Sequence, residues 1–431
     1  MTELSAPLPA PVLPTPAARP GGRLPGWLQR HMDLGFRILR NTLPILVLPF
    51  RIRGRRWACV TRAEDVEAVL RRPDVFDVPY AAKIAVVMEG GNIFLGMPDT
   101  EEARRDKANM RLTAPSAEAR ARIGPETARL AAEVVRQAAP RRRLDLAMEL
   151  SQAVTTRLYA AYFGLGDAPE REIADQARAL FGYMFGNPLD DLAQRAAAEP
   201  VAAALRRRIG AAVAARKRTP GVGEGAGEDV LGRCLRLQAE GRPGFTDLEI
   251  RNNLIGLVVG ALPQAPMLIP QLFDLLLDRP RELAAAQAAA RADDDAALAR
   301  IVFEAARFRP LTPGLFRLCR EDYRLAAGHW RGRTIRAGTI VLAATRSAMM
   351  DGRRVPAPRE FRTDRLDPLG LHFGLGQHEC FGIHMNQAML PQICKPVLRL
   401  PGLRRAPGEE GRLRLDDAFG IFPMNLTVAF D

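Results

Sequence analysis

The feature that most constrains this chain is a ten-residue run near its C-terminus, Phe373-Gly374-Leu375-Gly376-Gln377-His378-Glu379-Cys380-Phe381-Gly382. One cysteine sits among three glycines, with a histidine two residues before it. A cysteine that ligates a metal does so as a thiolate, and a thiolate needs positive compensation. Backbone N–H groups in a tight glycine-bearing turn supply it, as does the first turn of a following helix. Gly374, Gly376 and Gly382 let the backbone approach a flat ligand closely, with φ values that other residues resist. The apolar, helix-compatible stretch from Ile383 to Ile393 follows at once. The pattern suits one axial thiolate beneath a large planar cofactor. Two other readings stand beside it: Cys380 as an inert buried thiol, or a zinc site built from His372, His378, Cys380 and His384. Zinc prefers paired ligands from separated short loops, whereas these four crowd one segment. His372 and His384 read better as packing or surface residues.

The run resembles the cysteine-ligand loop of the cytochrome P450 haem-thiolate enzymes, Phe-Gly-x-Gly-x-His-x-Cys-x-Gly, at all six of its fixed positions. The resemblance implies haem b (iron protoporphyrin IX) as cofactor, Cys380 as the proximal iron ligand and His378 reaching a haem propionate, with Phe373, Gly374 and Gly382 in the cradle. It implies a fold that is mainly α with minor β. That fold is one large helical domain, here residues 26–431, with a small N-terminal β-region.

Three further constellations extend the resemblance. Glu304 and Arg307 lie three apart and share a helix face. Arg365 sits fifteen residues before Cys380, where the family supplies a third partner. The three are expected to form a buried cluster that braces the cysteine loop. Arg317 occupies the place of a propionate-binding arginine, and Arg is the side chain best matched to a carboxylate pair. The family's His-x-x-x-Arg in an earlier helix is altered here: in Asp99-Thr100-Glu101-Glu102-Ala103-Arg104-Arg105-Asp106-Lys107, Ala103 takes the histidine position and Lys107 the arginine position. Arg104, Arg105 or Lys107 is left to serve that propionate.

The third constellation is an absence. Family members commonly carry an acid–alcohol pair in their long helix, which organises water that delivers protons during oxygen activation. Here the run is Gly260-Ala261-Leu262-Pro263-Gln264-Ala265-Pro266-Met267, with Pro263 at the acid position and Gln264 at the alcohol position. Pro263, Pro266 and Pro270 each remove a helix N–H and force local distortion. Gln264 donates and accepts hydrogen bonds but cannot act as an acid. Substrate hydroxyls or ordered water are the alternative proton route.

The 431 residues, 47% hydrophobic, suffice for a large core. The net charge of +13 is carried almost wholly by arginine, with lysine only at Lys83, Lys107, Lys217 and Lys395. No basic stripe interleaved with aromatics appears, which argues against nucleic acid. An acidic ferredoxin-type electron donor fits the charge better, and solubilising surface arginine explains most of it. Five scattered cysteines form no disulfide framework and fit a reducing compartment, so the expected location is the cytoplasm. The apolar run Leu43 to Phe50 is too short to span a bilayer, and no transmembrane anchor is expected. Residues 1–25, rich in Pro and Ala, read as a disordered tail.

Two strands are expected at Leu48–Ile52 and Trp57–Val60, then a helix at Arg62–Arg71. Residues 78–97 read as a loop over the pocket, followed by Ala- and Arg-rich helices over 100–218. The glycine-rich stretch Thr219–Glu228 reads as a flexible turn. Thr246-Asp247-Leu248-Glu249 is a capping box, opening a long apolar helix to Leu277. Helices are expected at Pro280–Ala290 and Ala296–Arg307. Short strands follow at 316–318, 323–325, 334–335 and 339–342.

The leading expectation is an oxidoreductase acting on an apolar small molecule, most simply a monooxygenase with an external electron partner. The alternative is a peroxygenase or a hydroperoxide isomerase or lyase, which needs no reductase. Peroxide-using relatives carry an arginine beside the proline of this helix, and here no arginine is expected nearby, Arg251 being over three turns away. A non-enzymatic haem sensor is the reading from another class. The substrate pocket is expected near Met88, Phe94, Phe185, Leu262, Gln264, Leu315 and Ile421.

Overall fold

A computed structural model describes residues 26–89, 91–166, 169–219, 228–365, 370–416 and 420–431. The expected tail and most of the Thr219–Glu228 turn lie outside these residues. Helices dominate, and the sheets are small and peripheral. The arrangement is mainly α with minor β, as the sequence implies.

The principal sheet has five strands in the order Ile45–Val47, Arg56–Val60, Thr339–Ala343, Leu315–Cys319, Phe76–Asp77. Its centre is the parallel pairing of Arg56–Val60 with Thr339–Ala343, in register from Arg56↔Thr339 to Val60↔Ala343. The first strand lies upstream of the expected Leu48–Ile52. Pro49 has no N–H to offer a ladder, and the chain turns back through Arg53 (φ 48°) and Gly54 (φ 75°).

The helical part contains Glu101–Thr113, Gly124–Ala138, Ala153–Phe163, Glu170–Phe185 and Leu192–Arg218. The expected loop over 78–97 contains a helix, Ala81–Met88, which buries Ile84, Val87 and Met88. Its run AAKIAVVM holds no glycine or proline, and packing outweighs the β-branched content. The helix Gly26–Thr42 also went unread, hidden between proline-rich flanks. At Thr246 the capping box forms as expected: Glu249 N–H donates to Thr246 Oγ1 (3.3 Å) and Thr246 N–H donates to Glu249 Oε2 (2.7 Å).

The long apolar helix is two helices, Asp247–Ala261 and Gln264–Leu277, broken at Leu262–Pro263. The run Asp247–Leu277 is long and apolar enough to cross a membrane, but 67% of its most apolar window is buried among other helices, which suits a core helix. One large apolar cluster joins these helices to Ile383–Leu398, and a second lies around the five-stranded sheet. The cysteine run lies between the sheet side and the start of Ile383–Leu398, which continues past Pro391 and Pro396.

Candidate active site

The cysteine loop is built from two single turns, Leu371–Phe373 and Gly376–His378, followed by Cys380 and the helix from Ile383. Phe373 O accepts the Cys380 N–H (2.8 Å), closing the loop on itself. Gly374 and Gly376 both have φ of 74°, a region open to glycine. A Cβ on Gly376 would sit 3.1 Å from Leu70 O. Gly382 departs from the expectation, with an ordinary φ of −84°. The tightest neighbour of a Cβ there would be Asn386 Nδ2 at 3.3 Å, while Cys380 Sγ would stand at ordinary contact distance, 3.9 Å. Burial pushes the Cys380 thiol up, while the Gly382 N–H, Arg111 and Lys107 pull it back towards the thiolate.

Three buried nitrogens in or beside this loop lack partners among the described residues: His372 Nδ1, His378 Nε2 and Arg317 Nε. Arg317 is 3% exposed and spends one nitrogen on its neighbour, Phe316 O (2.9 Å). Burial, and then Arg317, hold His378 at about 4, well below the ordinary histidine value. Unpaired buried polar groups are costly, and an anionic ligand beside them would relieve Arg317, whose charge is felt at His378. With a glycine-lined cysteine turn beside them, these residues suit a flat anionic cofactor such as the haem that the resemblance implies.

On the Glu101–Thr113 helix, Lys107 Nζ donates to Gln377 O of the cysteine loop. Arg105 faces elsewhere: it pairs with Asp106 and Glu102 on the exposed side, and Arg104 pairs with Asp99. Position 105 lies across the axis from the 103/107/111 face, whereas position 104 borders that face and spends its side chain on Asp99. Arg111 was missed. It donates to Phe381 O (2.7 Å) and lies over the Phe381 ring at 4.3 Å. The signal was available, because Arg111 repeats Lys107 one turn on.

Glu304, Arg307 and Arg365 come together as expected. Arg307 grips Glu304 through Nε (2.9 Å) and a terminal nitrogen (2.8 Å), and Arg365 Nε reaches the same carboxylate (3.2 Å). The Arg362 N–H adds a fourth donor (2.9 Å). Burial alone would raise the Glu304 carboxyl; Arg307, Arg362 and Arg365 outweigh it and hold it below the ordinary carboxylate range. Arg307 also donates to the carbonyls of Met349 (3.0 Å) and Pro358 (2.8 Å), and Arg365 to those of Pro356 (2.6 Å) and Ala357 (3.0 Å). The cluster thus pins the segment that leads into the cysteine loop.

At the helix break, Pro263 and Pro266 have no N–H for the carbonyls of Val259 and Leu262, four residues back. Side chains fill part of the gap. Gln264 Nε2 donates to Gly260 O (2.8 Å), and the Thr155 hydroxyl, bonded to Ser151 O (2.8 Å), also approaches Leu262 O (3.2 Å). Arg178, Gln152 and Phe422 line a narrow cleft against Leu262, Pro263 and Pro266. An arginine therefore stands by this proline after all, from another helix, with its charge matched by Asp175 (2.9 Å).

The expected pocket residues fall into subsets. Phe185 packs on Tyr80 (4.9 Å) and Phe181 (4.8 Å), which meets Phe422, the neighbour of Ile421. Phe94 lies 5.3 Å from Phe381, next to the cysteine. Leu315 touches the Gly374 position, while Met88 is fully buried and its carbonyl takes Arg251 (2.9 Å). For the zinc alternative, among the described residues no three His, Cys, Asp or Glu side chains form a metal site. His372 stacks on Phe303 at 6.0 Å, a packing role, and His384 is exposed.

No family model matches the chain. The Psi-producing oxygenase A of Emericella nidulans is 41% identical over 81 residues, 19% of this chain, and the chain spans only 8% of that relative's length. The mycinamicin IV hydroxylase/epoxidase of Micromonospora griseorubida is 27% identical over 368 residues, covering 81% of this chain and 84% of that one. Among solved structures, cytochrome P450 TbtJ1 superposes with a TM-score of 0.76 at 19% identity, over 97% of this chain and all of its own.

Proposed function

We propose that this chain, a cytochrome P450 by fold and by its complete cysteine loop, is a haem-thiolate monooxygenase that oxidises an apolar small molecule with electrons from an external donor. The observation that carries the reading is the closed, glycine-bearing loop around Cys380 with the unpartnered buried nitrogens His378 Nε2 and Arg317 Nε near it. When bound, haem b supplies the oxidising chemistry, and a cysteinate ligand favours O–O cleavage. Cys380 would hold the iron, His378 and Arg317 the propionates, and Lys107 and Arg111 the cysteine-loop carbonyls. Phe373, Gly374 and Gly382 would shape the cradle. Glu304, Arg307 and Arg365 hold the approach to the loop still. Phe185, Phe181, Phe422 and Ile421 exclude water from one side of the pocket, and Leu262 and Gln264 border the helix break.

The relatives named as a hydroxylase/epoxidase and an oxygenase support oxygen insertion. Lys107 and Arg111 beside the cysteine, with a net charge of +13, suit an acidic ferredoxin-type donor. Five free thiols suit the cytoplasm.

The helix break supports a second reading, peroxide as oxygen source or a hydroperoxide as substrate. Pro263 has no acid to give, and the Gln264 amide nitrogen is committed to Gly260 O. The test is product formed per electron consumed. Tight coupling with a ferredoxin system, and no product with hydrogen peroxide or an organic hydroperoxide, supports the monooxygenase. Poor coupling with peroxide-driven turnover supports the second reading. No oxidation under either regime overturns both.

A further inference from the structure

Next to the buried glutamate cluster, the Gly26–Thr42 helix and the loop after Thr345–Ala348 form a cleft of about 270 Å³ lined by Arg37, Arg40, Asn41, Asp351, Arg353 and Arg359. Residues 37, 40 and 41 share one helix face. Four guanidinium groups therefore meet a single carboxylate. That carboxylate is already in use: Asp351 accepts the Ala63 N–H (3.2 Å) and Arg353 (3.0 Å), and lies 4.0 Å from Arg40. Arg40 is 7% exposed and gives one terminal nitrogen to Ser347 O (2.7 Å) and Oγ (3.0 Å). Asn41 is occupied too, donating to Arg37 O and accepting from Arg353. Among the described residues, no carboxylate lies within ion-pair distance of Arg37 or Arg359. Burial lowers Arg40 most; Asp351 opposes this, and Arg353, Arg359 and Arg37 add to the lowering. The cations crowd one another and are short of negative charge.

We propose that this cleft binds a phosphate-bearing anion that bridges Arg37 on the helix to Arg353 and Arg359 on the loop. Arginine's planar fork matches phosphate oxygens two at a time, which a lysine cluster would not do. A multivalent anion relieves the repulsion among all four guanidinium groups, whereas a single carboxylate relieves one pair. A concave basic site also concentrates anions from solution. Pro358 lines the same cleft, and its carbonyl is held by Arg307. An occupant would therefore tie the first helix to the segment pinned by the Glu304 cluster. The site shares no residue with the cysteine loop, so it stands or falls apart from the catalytic reading.

Thermal unfolding of the full chain, in inorganic pyrophosphate against chloride at matched ionic strength, tests the proposal. Saturating pyrophosphate is expected to raise Tm by about 2 °C or more. Arg37→Gln/Arg359→Gln should lose most of that rise and, without ligand, unfold no lower than wild type, because repulsion is relieved. Arg359→Gln alone serves should the double variant fold poorly. No rise in wild type overturns the proposal. So does an equal rise in the variants, which marks a general salt effect. Vesicles of phosphatidic acid in phosphatidylcholine form a second arm. Vesicle binding competed by pyrophosphate and lost in the variants places the phosphate on a lipid; a pyrophosphate shift without vesicle binding places it on a soluble ligand. Binding of polyglutamate with no response to pyrophosphate overturns the proposal in favour of an acidic protein surface.

Discussion

The two sides of the candidate site are built on opposite rules. On the cysteine side, local rules agree with one another. Glycines stand where φ is positive or space is short, the Cys380 N–H closes the loop, and three arginines saturate one buried glutamate through side chain or backbone. On the helix side, local rules are broken. A buried helix carries prolines at 263, 266 and 270 and is held together by a glutamine and a threonine. On the cysteine side each part depends on the others, so single substitutions are expected to be costly. On the helix side the side-chain bonds that bridge the break are single and separable.

Substitutions can break or sharpen that contrast. The largest effect is expected for Cys380→Ser, which should abolish the thiolate signature of the reduced carbon monoxide complex in absorption spectra. Retention of that spectrum would remove Cys380 as ligand. Next, Glu304→Ala leaves Arg307 buried without a counter-charge, and breaking such a cluster costs about 3–5 kcal/mol. Little folded, haem-loaded protein should result, and normal haem content on purification would contradict the bracing role.

A smaller effect concerns pH. The Glu304 carboxyl is held down in the folded state, so its stabilisation is complete above the ordinary carboxylate value of about 4.3 and fades as pH falls below it. Wild type and Glu304→Gln should therefore differ in denaturant midpoint near neutrality and converge as pH falls below the ordinary carboxylate value; a constant gap would show that the charge is not involved. The smallest effect belongs to the helix side. Thr155→Val removes one shared hydroxyl proton and should lower stability by about 1 kcal/mol, as for a single neutral hydrogen bond. A loss as large as that of Glu304→Ala would erase the contrast between the two sides.

The cysteine side was legible because its information is short in range and written in residue identity: six fixed positions for the loop, a three-residue spacing for Glu304 and Arg307. What escaped depends on direction or distance. Arg105 and Lys107 differ by two residues, yet only Lys107 faces the loop, since direction round a helix is set by register and the displaced motif did not fix it. Arg111 followed from the same register. Thr155 lies more than a hundred residues before Leu262, so no local pattern could announce it as the repair of a proline break. The proline triplet announced distortion, but not that the helix would part into two. The Ala81–Met88 helix was hidden because glycines and methionines in the surrounding 78–97 stretch suggest loop until burial decides otherwise.

The parallel pairing of Arg56–Val60 with Thr339–Ala343 joins stretches about 280 residues apart and has a consequence for how the protein is made. At a ribosomal rate of ~5–20 residues per second, the earlier strand waits roughly 14–56 s for its neighbour to be synthesised. During that interval Trp57-Ala58-Cys59-Val60 has only the short Ile45–Val47 hairpin partner, and a two-stranded hairpin is marginal in water. The nascent chain therefore carries an apolar, half-paired edge through most of its translation, open to pairing with neighbouring chains on the same message.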